Sequence, residues 1–436
     1  MRMRLLSVTA AMVASGSTVS AQSPATRPSS TWEIGTPIST YWAGPGYGGQ
    51  PLTDADARQL DEGGFNLVWS PEKDLDVAGR YKLRALLNDP LITPGTLDTP
   101  AGREKLDALI ARVKAHPSLY AYFITDEPNA AAFPALGKLV GYLRERDPAH
   151  MAYINLFPTY ANNDQLGTKG DTVTAYKEHL RQYVEIVTPA LISWDHYQFV
   201  AGGKDSDQYF LNLALIRKAA MDARLPFLNI VQACTWDPSM RAPTPDELRY
   251  LVYTTLAYGA QGISYFVYSY EPCYKPGTGQ LVTPQGKRTE LYEAAKKLNP
   301  EFVAIASELQ KLQSLGTYHA GMLPPGAEPL PDGLPFRFDP PVAKMDDKPP
   351  QRVKGLLVGV FGRFRRDARH VHESEAHASH VMVVNLDYRE PAVTRLVGQE
   401  PLEVFDAASK TWKSAGKDGK AELRLPPGGG VLARTQ

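Results

Sequence analysis

The sequence predicts an α/β protein: a (β/α)8 TIM barrel followed by a C-terminal antiparallel β-sandwich. Three observations carry this. Short apolar runs alternate with amphipathic stretches over roughly 280 residues, the length and rhythm of a (β/α)8 barrel. No G-x-G-x-x-G follows the first run and no phosphate-binding loop occurs, so an open doubly wound sheet has no nucleotide signature behind it. After Gly316 the pattern changes to a proline-crowded stretch and then to close-set, short alternating runs. The expected boundaries are 1–21 for a signal peptide, 22–31 for a disordered leader, 32–318 for the barrel, 319–353 for a Pro-rich linker and 354–436 for the β-sandwich.

The elements follow in order. MRMR supplies a positive start, Leu5 to Ser17 is apolar and small, and Val19-Ser20-Ala21 reads as a cleavage site, so an exported protein, periplasmic or extracellular, is expected to begin near Gln22. The Ser/Pro-rich segment to Ser30 has too little apolar surface to order itself. The first strand is expected at Pro37 to Trp42, then a helix from Thr53 to Glu62 and a strand at Phe65 to Trp69. Leu83 to Asn88 is the third strand, with a helix from Arg103 to Ala115 after it. Leu119 to Thr125 is the fourth, and its helix runs from Ala130 to Arg146. Met151 to Phe157 is the fifth, with a helix from Thr174 to Val187. Ala190 to Trp194 is the sixth, followed by a helix from Tyr209 to Ala223. Pro226 to Cys234 and Gly262 to Tyr270 complete the eight, with helices from Pro245 to Tyr258 and from Thr289 to Leu315. Sandwich strands are expected from Gly355, His380, Leu402, Ala421 and Val431.

Bulk numbers narrow the function. The 47 basic residues balance the 47 acidic ones, so no global field favours nucleic acid or an anionic membrane, and a neutral partner is expected. No stretch beyond the N-terminus is long and apolar enough for a membrane span. With only two cysteines, Cys234 and Cys273, the scaffold is not disulfide-built, although one bridge between them is open to an exported chain. The histidines His370, His372, His377 and His380 have no carboxylate or cysteine frame around them, so a solvated hairpin tip is expected there and no metal or other cofactor. Twenty-two tyrosines and six tryptophans suit a saccharide partner, because flat rings pack on sugar faces, and they also suit ordinary core.

The stretch Leu119 to Asn129, LYAYFITDEPN, is the most informative. A doubly buried strand ends in adjacent carboxylates, Asp126 and Glu127, and Pro128 stops it because it has no N–H for the ladder. In a barrel such strand tips converge on one face, where the chemistry is kept. The alternative is a plain loop in which Asp126 caps the next helix. Other polar tips are Trp42, Trp69, Asn155, Asp195 with Tyr197, Gln232 with Trp236 and Asp237, then Tyr268, Tyr270 and Glu271. Carboxylates, amides and aromatic walls without a lysine form the inventory of glycoside hydrolysis: an acid for the leaving oxygen, a second carboxylate, amides for hydroxyls.

SWDHYQF (Ser193 to Phe199) is similar to the strand-six W-D-x-Y segment of the glycoside hydrolase family 42 β-galactosidases, members of the clan of retaining (β/α)8 glycosidases. ELRYLVYTTLAYGAQGISYF (Glu247 to Phe266) resembles that family's helix-seven and strand-eight stretch. The resemblance implies Asn-Glu at the fourth strand tip, the Glu being the acid/base, and a nucleophilic glutamate at the seventh. This chain has Asp126-Glu127 and Gln232 there, so Glu127 keeps the acid's position and a neutral amide stands nearest the nucleophile's. Asp195 and Glu271 are the substitutes, and each can equally be a cap, a rim ion pair or a solvated loop acid.

The expectation is a glycosidase, β-galactosidase-like, acting on a neutral and β-linked oligo- or polysaccharide, with Glu127 and Asp195 catalytic. Trp42, Trp69, Asp126, Asn155, Tyr197, Gln232, Trp236, Tyr268 and Glu271 are expected to bind substrate. The alternative is a catalytically impaired carbohydrate-binding barrel. Oligomeric state, sugar and linkage are left open.

Overall fold

The computed structural model describes residues 33–275, 277–345, 352–363, 375–416 and 418–436. The expected signal peptide and leader, and His370 and His372, lie outside them. The barrel strands are β1 (Ile38–Trp42), β2 (Leu67–Ser70), β3 (Arg84–Leu87), β4 (Leu119–Asp126), β5 (Met151–Leu156), β6 (Ile192–His196), β7 (Phe227–Gln232) and β8 (Gly262–Phe266). All their pairings are parallel, and the sheet runs β1-β8-β7-β6-β5-β4-β3-β2. The seam between β1 and β2 is carried partly by side chains. Thr40 Oγ1 donates to the Leu67 carbonyl at 2.8 Å, and the Trp69 indole N–H donates to the Tyr41 carbonyl at 2.7 Å. The helices between strands bury one stripe each; Leu106, Leu109, Ile110 and Val113 face inward from Pro100–Val113.

Several elements differ from expectation, each for a local reason. A short helix, Leu75–Arg80, links β2 to β3 where the sequence has too few periodic residues to show it. Strand β8 ends at Phe266 rather than Tyr270, because Tyr268 N–H turns to the Trp42 carbonyl at 3.0 Å. The last long helix ends at Leu309, and Leu312–Gly321 is already a strand, paired antiparallel with Gly355–Arg363. Both segments are apolar enough for either period, so tertiary pairing decides.

The C-terminal part is a six-stranded antiparallel sheet faced by a three-stranded one, Phe336–Phe338, Ala392–Gly398 and Lys420–Leu425. Phe336–Phe338 lies within the stretch read as a linker. Strand alternation assigns the two faces of the larger sheet. Leu356, Val358, Val360, Val381 and Val383 pack toward the smaller sheet, whereas Leu357, Phe361, Met382 and Val384 join the barrel core. The larger sheet is therefore buried on both sides and docks against the barrel's own helices.

Candidate active site

The site begins with an irregularity in β4. Its register with β5 slips between Phe123 and Thr125, so Ile124 is an extra residue, a β-bulge. The slip sets Asp126 level with Asn155, and Glu127 follows in the left-handed region at φ 44°. A side chain costs about 1 kcal/mol or more there, and the Glu127 N–H bonded to the Asn155 carbonyl at 2.9 Å holds it. Asn155 in turn stands level with Ser193 of β6, and Asp195 is two residues on, on the same face.

One hydrogen-bond network joins these tips. Tyr153 OH and Ser193 Oγ are 2.7 Å apart, and Ser193 Oγ donates to Asn155 Oδ1 at 2.9 Å. That fixes the amide, whose Nδ2 donates to Asp126 Oδ1 and to Asp195 Oδ1, both at 3.0 Å. Asp195 lies beside Tyr197 and Glu127, and both bear on its acidity.

Burial and like charge set the acidities. Asp195 is buried, and loss of water, then the charges of Glu127 and Asp126, push it well above the carboxylate range. Burial, then the charge of Asp126, lifts Glu127 to about 7, against the lowering effect of Asp195 beside it. Asp126 reaches the cleft water, yet the surrounding protein still raises it by partial loss of solvent, against the lowering bond from Asn155.

The three acids line a cavity of about 340 Å3 with Trp42, Asn155, Tyr197, Trp236, Phe266 and Ile230. Phe157, Pro158, Tyr160, Ala161 and Gln165, from the loop after β5, close one side. Tyr197, Trp236 and Phe266 form a ring cluster with centroids 4.2–5.2 Å apart.

The family model described as Beta-galactosidase, of the glycoside hydrolase 42 type, matches residues 178–305. Both quoted motifs lie inside that stretch. The chain resembles the family 42 β-galactosidases. The match takes in Asp195, β7 and β8 and leaves out β4 with Asp126 and Glu127. No curated protein matches the sequence. Among solved structures, the chain is similar to the β-galactosidase of the psychrophilic Marinomonas ef1, at 13% identity and TM-score 0.43, covering 59% of each chain. It thus spans 59% of that enzyme's length. It is also similar to a family 5 mannosidase from Rhizomucor miehei, at 12% identity and TM-score 0.41, covering 59% of this chain and 88% of that one. A structure titled "Glycoside hydrolase" has 11% identity and TM-score 0.49 over 87% of both chains.

Seven of the expected residues come together in the cavity: Trp42, Asp126, Glu127, Asn155, Asp195, Tyr197 and Trp236. Asn155 differs from expectation in that its amide is committed to protein partners rather than open to a sugar. Four residues lie elsewhere. Trp69 is buried behind Trp42, its N–H spent on closing the β1–β2 seam. Gln232 is buried too: its amide accepts from Phe199 N–H and donates to the carbonyls of Phe199 and Arg241, pinning a two-residue ribbon. Tyr268 packs on Tyr41 and Phe65 and donates to Gln59 Oε1 at 2.8 Å. Glu271 is exposed on a 3-10 turn and does not line the cavity. Ile230, not Gln232, is what β7 gives to the cavity.

Missed by sequence reading were Phe157, Pro158, Tyr160, Ala161 and Gln165. Their only signal is that they follow a strand tip directly. Cys234 is buried, and the Cys273 side chain lies outside the described residues, as does the question of a bridge. Among the described residues no group of His, Cys, Asp and Glu is placed to hold a metal ion, and no helix is long and apolar enough to cross a membrane.

Proposed function

We propose that this protein hydrolyses a glycosidic bond in a saccharide without acidic groups, with Glu127 as general acid. The observation that carries this is Glu127 itself: a carboxyl lifted to about 7, at a barrel-strand tip, on a cavity walled by tryptophan and tyrosine. A group of that acidity is protonated near neutral pH and can still give its proton up. In the reaction, Glu127 gives its proton to the glycosidic oxygen as the bond to the anomeric carbon breaks. Water adds to that carbon, and the proton it sheds restores Glu127 through the water of the cleft.

Asp195 was expected to face Glu127 across the sugar. Its burial argues against that, since a carboxyl pushed well above the usual carboxylate range keeps its proton and serves as neither nucleophile nor base. We assign Asp195 a part in setting the acidity of Glu127 beside it. The β-linkage and galactose-like specificity follow from the family resemblance alone.

Hydrolysis of oligosaccharides and aryl glycosides by the purified chain, beside Glu127→Gln, tests the reading. Turnover that the substitution abolishes supports it; turnover that survives unchanged places the acid elsewhere. A second reading, a saccharide-binding barrel without hydrolysis, is favoured by Ile230 and the pinned Gln232 on β7, where the family resemblance implies a nucleophile. Binding without turnover on any glycoside would select it.

A further inference from the structure

The charge of the chain as a whole cancels, but that of the cavity does not. Asp126, Glu127 and Asp195 line it, and no Lys, Arg or His does. Three carboxyl groups crowd the cavity with no counter-charge in its lining, and burial raises the pKa of each. The nearest imidazole is no counter-charge. His196 meets Tyr160 at 5.1 Å, but it is buried, bonded to Asn212 and Ser206, and held neutral by burial, with a pKa of about 4. Arg241, behind Gln232, is engaged by both oxygens of Glu247. Asn155 already gives both amide protons to Asp126 and Asp195. Among the described residues, hydrogen bonds soften this charge and no cation cancels it.

The walls point the same way. Trp42, Tyr197, Trp236 and Phe266 offer ring faces and edges around the acids, and ring faces attract cations. Carboxylates in a cleft with apolar walls focus their potential into it. An acidic sugar would be repelled, and a neutral one would answer the acids only with hydroxyl hydrogen bonds, which leave the charge uncancelled. A primary ammonium supplies the missing charge and three donors.

We propose that the saccharide this site takes carries a free amine, an amino sugar whose ammonium pairs with Asp126. The assignment rests on the saccharide reading above. Asp126 is chosen because it is the carboxylate open to the cleft, while Asp195 is buried and bonded to Asn155.

The test is calorimetric titration of the full chain at mildly acid pH, where amines are protonated. The probes are a methyl 2-amino-2-deoxyglycoside, its N-acetyl derivative, the parent methyl glycoside and cyclohexylamine. The amino glycoside should bind about tenfold or more tighter than either neutral sugar, as a compensated charge pair in a cleft implies. That preference should fade as pH rises and the amine loses its proton, and it should collapse in Asp126→Asn. Equal binding of amino and neutral sugars overturns the amine assignment and leaves the saccharide reading standing. Cyclohexylamine binding as tightly as the amino glycoside, or no sugar binding at all, overturns both. If Asp126→Asn melts far below the parent chain, the pH dependence in the parent decides alone, and a preference that persists after the amine deprotonates sinks the proposal.

Discussion

The two arcs of the barrel mouth are built on different principles. On one side β4, β5 and β6 present Asp126, Glu127, Asn155 and Asp195, polar groups packed together at the expense of local comfort. A bulge re-aims the strand, Glu127 takes a left-handed backbone, and burial and mutual charge raise Glu127 and Asp195. On the other side β7, β8 and β1 present Ile230, Phe266 and Trp42, and their polar residues are spent on holding loops. The first arc crowds like charges to place acids, and the second packs rings. Backbone strain is common to both, since Ala43 after Trp42 is left-handed at φ 45° as Glu127 is at φ 44°, so it is buried charge that marks the first arc.

The sharpest way to break this contrast is Glu127→Gln. The amide keeps the volume and loses the titrating proton, so turnover of glycosides with poor leaving groups should fall by roughly 10²–10⁴, the usual worth of a general acid. Activated aryl glycosides, which need little protonation, should lose much less. Near-parental turnover on an oligosaccharide would make the acid arc merely structural.

The same substitution should act oppositely on stability. A carboxyl whose pKa rises from 4.5 to about 7 on folding binds its proton more tightly in the native state. Its contribution is therefore fully present below pH 4.5 and lost as pH rises through about 7. Above that, the ionised group destabilises the fold by an amount on the order of 2–3 kcal/mol. Glu127→Gln removes the penalty, so chemical denaturation at alkaline pH should find the variant the more stable, with the difference shrinking toward acid pH. A variant less stable at every pH would mean that no such ionisation penalty attaches to Glu127.

Much of the first arc was legible from sequence, and little of the second. LYAYFITDEPN shows a buried strand, its stop and its two acids in consecutive letters, and W-D-x-Y does the same for β6. Proximity to a strand tip does not, however, say which way a side chain points, because the period of a strand is 2 and a single bulge or early stop reverses it. Gln232 and Ile230 stand two apart on β7, and only the packing of the 199–205 loop sends the first to the backbone and leaves the second to the cavity. Strand β8 stops at Phe266, so Tyr268 falls behind β1 instead of on the mouth. The loop after β5 carries no periodic signal, and its role follows only from its place over the acids. The fold, by contrast, rests on a pattern repeated eight times, which no one local error overturns.

Asp126→Asn sharpens the contrast within the acid arc. Asp126 raises Glu127 by charge alone, so its neutral isostere should lower the Glu127 pKa and move the alkaline limb of the rate profile toward lower pH. The expected displacement is roughly half to one pH unit, as for a partly solvated neighbouring charge. A limb that stays in place would mean that burial alone sets the acidity of Glu127.

The smallest effect is expected on the second arc, and it is the one that separates position near the mouth from a part in it. Tyr268 sits at 1% exposure, against Tyr41 and Phe65, with its hydroxyl donating to Gln59 Oε1 at 2.8 Å. Tyr268→Phe removes one hydroxyl and keeps the ring, so the packing survives and one buried acceptor loses its donor. The cost should be about 1 kcal/mol of stability, the net worth of a single hydrogen bond. Thermal melts should show it, and KM and kcat should both stay at their parental values, because nothing that lines the cavity touches that hydroxyl directly. A raised KM with an unchanged melt would instead put Tyr268 at the sugar, and the apolar arc would then belong to the site as much as the acid one.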